Sequence, residues 1–253
     1  GNPTINDDIC PQEQDYNDAK SVAEALGLEL LRIDFITEYW DYVFKTFLDE
    51  YRKGRTPNPD ILCNKYIKFD KFLEFAKEKG FDWVATGHYA KVEHTDKGSI
   101  MKKASDLNKD QSYFLCQISK EALSHAIFPL GDIEKPEVRR IAKELELIIA
   151  TKKDSTGICF IGERNFRQFL SNYLPMKPGP IINVANREVK GEHQGVLYYT
   201  IGQRKGLNIG GPGGPWFVVG KDVVRNELYV ASGDDGEWLV SDSCLVKGVN
   251  WLY

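Results

Sequence analysis

Apolar residues recur at helical spacing in three stretches of the first eighty residues, and a glycine closes each stretch. Tyr16, Ala19, Val22, Ala23 and Leu26 share one face of a helix over 16–26, with Gly27 as its C-cap. Tyr39, Trp40, Val43, Phe44, Phe47, Leu48 and Tyr51 mark a second amphipathic helix, stopped at Gly54. A third is predicted from about Leu62 to Lys79, ending at Gly80. Between the first two, Leu28 to Phe35 has the length and apolar content of a strand, and Asp82 to Thr86 reads as a second, shorter one. Helices alternating with buried strands imply crossover connections in a parallel sheet, whose ligand crevice lies at the strands' C-terminal ends. Gly87 and His88 stand at such an end.

After Gly98 the pattern predicts helices without intervening strands. The clearest is 136–146, with Pro136 in its first turn and a buried stripe of Val138, Ile141, Ala142 and Leu145. A short helix around Phe166, Phe169, Leu170 and Tyr173 ends before Pro175. Beyond it, extended runs punctuated by Gly and Pro suggest strands at Gly195–Ile201, Trp216–Val219 and Glu227–Ala231. The predicted class is therefore α/β: a partial parallel-sheet domain with a helical annex, then a small antiparallel β domain suited to gripping a large partner.

Composition leaves that picture intact. The chain has 253 residues, 42% hydrophobic and 28% charged, which excludes disordered, collagenous and coiled-coil classes. No apolar run reaches the ~18 residues of a membrane span and the first residues do not resemble a signal peptide, so a cytosolic chain is expected, with no membrane partner. Charge changes the picture more. The net value of −4 hides a basic stretch, 135–205, with 13 Lys and Arg against 7 Asp and Glu, while residues 1–60 carry 6 against 13. Clustered cations bind nucleic acid whatever the total charge, although a solvated surface has the same composition.

Five scattered cysteines, Cys10, Cys63, Cys116, Cys159 and Cys244, do not make a secreted disulfide scaffold. No Cys-x-x-Cys or Cys/His cluster occurs, and no metal site is expected. Two segments centre on a cysteine. In Gly54-Arg55-Thr56-Pro57-Asn58-Pro59-Asp60-Ile61-Leu62-Cys63-Asn64, two prolines stiffen a loop that opens onto a helix, with Cys63 expected in the first turn. A helix N-terminus favours a thiolate, and Asp60 three residues earlier can handle protons. Equally, Asp60 can cap the helix and Cys63 can be a small buried residue. In the second segment, residues 152–163, Cys159 lies on a Gly-flanked loop behind Lys152 and Lys153, either a travelling thiol or a loop anchor.

The runs GRTPNPDILCNKYIKF, ATGHYAKV, LNKDQSYFL, DSTGICFIGERNFRQFL, GEHQG and TIGQRKGL, in this order, resemble the tRNA-specific 2-thiouridylase family across essentially the whole chain. The resemblance implies a pyrophosphate-loop (PP-loop), Rossmann-like nucleotide-binding domain over 1–162, a central mainly β domain over 163–240 and the start of a C-terminal β-barrel over 241–253. It implies ATP, with Mg2+, as cofactor, tRNA as substrate and a persulfide donor protein as partner. The C2 oxygen of the wobble uridine would be adenylated and replaced by sulfur. Cys159 matches the persulfide carrier, and Cys63 the nucleophile that ends in a disulfide with it. Asn58, Pro59 and Asp60 match the stretch facing the target base, with Asp60 as acid/base. Gly87 matches a nucleotide contact, and Lys109, Asp110 and Gln111 a tRNA contact. The family's SGGVDS phosphate loop has no counterpart in the sequence. Another PP-loop ATPase, or a non-catalytic tRNA-binding relative, would share much of this pattern.

Overall fold

A computed structural model describes residues 11–152, 166–211, 213–233 and 236–252. In chain order the helices begin with α1 (Pro11–Leu26), α2 (Ile36–Glu38), a π-helical stretch Tyr39–Phe44 and α3 (Lys45–Arg52). Next come α4 (Pro59–Cys63), π-helical Asn64–Lys71 and α5 (Phe72–Glu78). Strands β1 (Val84–Ala85), β2 (Ala90–Thr95) and β3 (Gly98–Lys103) precede α6 (Lys120–Ser124), β4 (Ala126–Ile127) and α7 (Lys135–Glu144). The remainder holds α8 (Phe166–Ser171), β5 (Gly179–Asn183), β6 (Val189–His193), β7 (Trp216–Asp222) and β8 (Glu227–Ser232).

The chain forms two compact units, one of residues 1–39, 60–162 and 250–253, the other of 40–59 and 163–249. In the first, β1 and β4 pair in parallel, Val84 opposite Ala126, and β2 and β3 form an antiparallel hairpin. Phe69, Leu73, Val84, Leu115, Leu123 and Phe128 belong to its core. The glycine stops act as their position predicts. Gly27 (φ 65°) and Gly80 (φ 83°) each close a helix, with Leu28 N–H donating to Ala23 O (2.8 Å) and Phe81 N–H to Ala76 O (2.9 Å), the six-residue bond of a Schellman cap.

Three expectations for this unit fail for identifiable reasons. Leu28 to Phe35 is not a strand. Its apolar side chains stay in solvent, Leu28 at 62% and Ile33 at 38% exposure, and no strand among the described residues lies beside it to pair with its backbone. The region after Gly98 is not purely helical, since it contains β3 and β4. The β2–β3 turn is marked only by Asp96-Lys97-Gly98, and the hairpin's mixed polarity hides its alternation. On α7 the expected stripe is only half-buried, and Leu145 is 53% exposed. Val138, Arg139 and Ala142 instead line a cleft of about 670 Å³ whose other wall includes Asp18, Val22 and Leu28.

The second unit is a four-stranded sheet in the order β6-β5-β8-β7. It is antiparallel except for β5 and β8, which run parallel with Ile181 opposite Leu228. An aromatic cluster within the same unit joins Phe44 to Phe47, Phe169 and Tyr173 at centroid distances of 5.0 to 6.1 Å. Gly195–Ile201 is not a strand. Val196, Leu197 and Tyr199 are all buried, which a two-fold alternation cannot give, and the chain turns at Val196–Tyr198 while the Tyr198 hydroxyl donates to Leu174 O at 2.7 Å. His193 in the GEHQG run is fully buried, one ring nitrogen 3.0 Å from Asn226 O and the other accepting from Gly195 N–H at 3.1 Å. Burial holds its pKa below the usual value, so it serves as a neutral tie between β6 and the β7–β8 hairpin.

Candidate functional site

The loop that leads to the first cysteine is fixed at its root. Gly54 (φ 77°) sits so close to Val223 that a Cβ would fall 2.6 Å from Val223 Cγ2. Arg55 donates to Glu50 through its backbone (2.9 Å) and through Nη1 (2.7 Å). The hydroxyls of Thr56 and Thr200 are 3.1 Å apart, both within the second unit. Asn58, half-buried, and Pro59, buried, end this unit's share of the loop.

Pro59 is the first residue of α4, where its ring presets the helical φ and its missing N–H costs nothing. The helix thus starts three residues before the expected Leu62, and this relocates the chemistry. Asp60, half-buried, lies in the first turn, and Cys63, 8% exposed, lies in the second rather than the first. The dipole that favours a thiolate fades within one turn, so it acts on Asp60 more than on Cys63. The spacing of three still puts both side chains on one helix face. Asn64 follows at 1% exposure, its Nδ2 donating to Phe114 O at 2.9 Å and its Oδ1 without a hydrogen-bond partner among the described residues. Ile67 and Phe69 on the π-helical stretch are buried, and Phe69 belongs to the core of its unit.

Gly87 follows β1 at the C-terminal end of the parallel pair, where the crossover rule places a ligand crevice. It is exposed, its φ lies outside the left-handed region, and a Cβ there would meet nothing closer than Leu130 Cδ1 at 4.0 Å. The protein's own packing therefore does not require glycine here. His88 is wedged between Phe69 and Phe128, with Nδ1 2.8 Å from the Thr86 hydroxyl. Burial, with Lys68 nearby, pushes its pKa down to about 4. Because the folded-state value lies below that of the unfolded chain, stability is lost as pH falls from about 6.5 through 4. The ceiling is ~3 kcal/mol for a shift of this size. Urea midpoints measured over that range should drop for the parent and drop less for His88→Gln; equal slopes would remove His88 as the cause.

Lys109, Asp110 and Gln111 divide their work. Asp110 accepts from Ala104 N–H (2.7 Å) and from the Ser112 hydroxyl (2.6 Å). Gln111 makes a reciprocal pair with Tyr89, its Oε1 accepting from Tyr89 N–H (3.0 Å) and its N–H donating to Tyr89 O (2.8 Å). These two side chains are committed to the fold, tying the loop to the segment just after Gly87, and only Lys109 of the three is exposed. Cys159 lies outside the described residues, as do Cys10 and the other residues of 153–165. Lys152, at the edge of that segment, is bonded to Asp15 (2.7 Å) and Asp18 (2.6 Å) on α1. Sequence reasoning reached the Thr200–Lys205 loop only as part of the basic stretch 135–205, a candidate for phosphate contacts, and singled out none of its residues. Its signal was the TIGQRKGL run, which the cysteine chemistry did not absorb.

A family model described as the tRNA methyl transferase HUP domain matches residues 2–163, and one described as the tRNA methyl transferase PRC-barrel domain matches 167–232. Together they define a HUP nucleotide-binding unit carrying a small, mostly antiparallel β unit. The chain is 58% identical over its whole length to the tRNA-specific 2-thiouridylase MnmA of Mycoplasma capricolum, covering 68% of that protein. It is 56% identical to the Mesoplasma florum protein of the same name, over 99% of this chain and 68% of that one. For the Bacillus cytotoxicus MnmA the figures are 55%, 96% and 66%. The chain belongs to the tRNA-specific 2-thiouridylase family, a family of tRNA sulfurtransferases.

Proposed function

We propose that the chain thiolates C2 of a wobble uridine in tRNA, using ATP to activate the oxygen and a cysteine persulfide to supply sulfur. The observation that carries this is the identity of 58% across the full chain to a protein named a tRNA-specific 2-thiouridylase. The geometry supports it. Asp60 and Cys63 share a helix face at the end of a stiffened loop, and an exposed glycine that packing does not require stands at the crevice end of the parallel pair.

For ATP the residues present fit in part. Gly87 leaves room for a nucleotide to approach the backbone, but no SGGVDS-like run exists in the sequence, so no residue is assigned to the phosphates. ATP supplies the adenylate that makes the C2 oxygen a leaving group, and Mg2+ would be held chiefly by its phosphates. The protein's own part is sulfur handling. A donor protein loads sulfur onto Cys159, and its terminal sulfur forms the new C–S bond at C2 as the C2–O bond breaks and the oxygen leaves on AMP. The Cys63 thiolate then attacks Cys159 Sγ, and the electron pair of the broken persulfide bond passes to the sulfur now on uridine. The Cys63–Cys159 disulfide that remains needs a thiol reductant before the next turnover. Asp60 takes and returns the proton at the uridine's edge, with Asn58 and Pro59 bordering the base. Lys109, exposed beside Asp110 and Gln111, meets a tRNA phosphate.

No helix among the described residues is long and apolar enough to cross a membrane; a cytoplasmic reaction is part of this proposal because its substrate is tRNA. The full-length protein, incubated with unmodified tRNA, ATP, Mg2+ and a persulfide donor, should yield 2-thiouridine detectable by nucleoside mass spectrometry. Product that forms equally without ATP, or no product at all, would overturn the proposal.

A further inference from the structure

The Thr200–Lys205 loop of the second unit is built to hold two cations away from the protein. Gln203 closes it from inside. Its Oε1 accepts from Thr200 N–H at 3.1 Å, its Nε2 donates to Lys205 O at 2.9 Å, and its backbone N–H bonds Thr200 O at 3.0 Å. Two further bonds fix the loop to β7, Gly202 N–H to Val218 O (2.7 Å) and Val218 N–H to Gln203 O (2.9 Å). Gly202 and Gly206 take the left-handed conformations the tight path needs, at φ 83° and 78°.

Arg204 and Lys205 at the tip are exposed, and neither makes an ion pair among the described residues. Arg52, Arg55 and Arg140, by contrast, each hold a carboxylate. The sequence explains why. Residues 193–221 contain no Asp or Glu, so nothing nearby in the chain neutralises the pair. Two more cations reinforce the field. Lys221 Nζ donates to Tyr199 O at 2.6 Å, and the Arg167 guanidinium lies 5.3 Å from the Tyr199 ring centroid. The contact between the Thr56 and Thr200 hydroxyls (3.1 Å) ties the base of this loop to the loop that carries Asn58 two residues later.

We propose that Arg204 and Lys205 form a preset clasp for the sugar–phosphate backbone of the anticodon stem-loop, holding the phosphates beside the nucleotide presented at Asn58. The inference rests on the proposed function and adds to it a contact that neither cysteine chemistry nor the Lys109 loop supplies. A planar guanidinium next to a flexible ammonium suits two successive phosphates, the first bidentate and the second as a point charge. A rigid loop also spares the ordering entropy that mobile side-chain carriers would cost on binding.

The test measures binding of full-length protein to an anticodon stem-loop RNA containing the target uridine, at several salt concentrations. R204Q/K205Q should weaken affinity about tenfold near physiological salt. It should also reduce the slope of log Kd against log salt by roughly 1.4–1.8, the value for two lost phosphate contacts. KM for the RNA should rise while kcat at saturating RNA stays near the parent's, and the melting temperature should not move. K20Q, which removes a charge on exposed α1, should change none of these. A double variant with the parent's affinity and salt slope overturns the clasp alone. A parent protein that does not bind the stem-loop overturns the clasp and the proposed function together.

Discussion

Cys63→Ser is expected to lower single-turnover thiolation of tRNA by ~10³-fold or more while leaving the fold in place. Serine is nearly the same size, so at a position 8% exposed the cost is the burial of a hydroxyl, about 1–2 kcal/mol. The chemical loss is of another order. A hydroxyl cannot displace sulfur from a persulfide or end in a disulfide, and removal of a covalent nucleophile falls in this range. The variant should retain sulfur on Cys159, because the step that releases it is blocked, and mass spectrometry of the protein reads this directly. Cys159→Ser should be as inactive but take up no sulfur at that position. Cys116 and Cys244, both exposed, should tolerate replacement with activity near the parent's. Thiolation by Cys63→Ser within a few-fold of the parent, with the melting temperature unchanged, would end the two-thiol scheme.

Asp60→Asn is expected to separate proton handling from a purely helical role. Asp60 follows Pro59 inside the first turn of α4, past the capping position, and there the carboxylate's interaction with the dipole is worth ~0.3–1 kcal/mol, so stability should change by no more than that. If the carboxylate moves a proton, the single-turnover rate should fall by roughly 10²-fold with tRNA affinity nearly unchanged. The amide still reaches the uridine edge as a donor and acceptor, so a loss confined to affinity would assign Asp60 to base recognition. A rate near the parent's would leave it only its place in the helix.

The helices were legible in this sequence because their signals are local. The apolar faces of 16–26 and 39–51 and the closing glycines at 27, 54 and 80 each depend on a few neighbouring residues, and all three glycines adopt positive φ. The strands were less so, since a strand is defined by a partner that may be distant in the chain. Leu28–Phe35 has strand composition with no strand beside it among the described residues, while the Gly179–Asn183 strand was overlooked although it pairs on both sides. Gly195–Ile201 misled for a related reason, because three buried side chains in a turn look like an apolar run. At the site, residue types and spacing alone left Asp60 and Cys63 open to a capping and packing role, and the collinear motifs supplied the chemistry. What no motif conveys is the division of labour within one. Asp110 and Gln111 brace while Lys109 is presented, and Gln203 closes a loop so that Arg204 and Lys205 can stand clear.

Lys152 is moored to the first helix of the chain. Its ammonium is shared between two carboxylates of α1, Asp15 and Asp18, at side-chain exposures of 68% and 16%. Each bond is worth little at the surface, yet both bear on one residue. Dissolved ions weaken them together. Salt therefore reaches this protein by two routes, thinning its attraction for a polyanion and loosening the hold of α1 on Lys152.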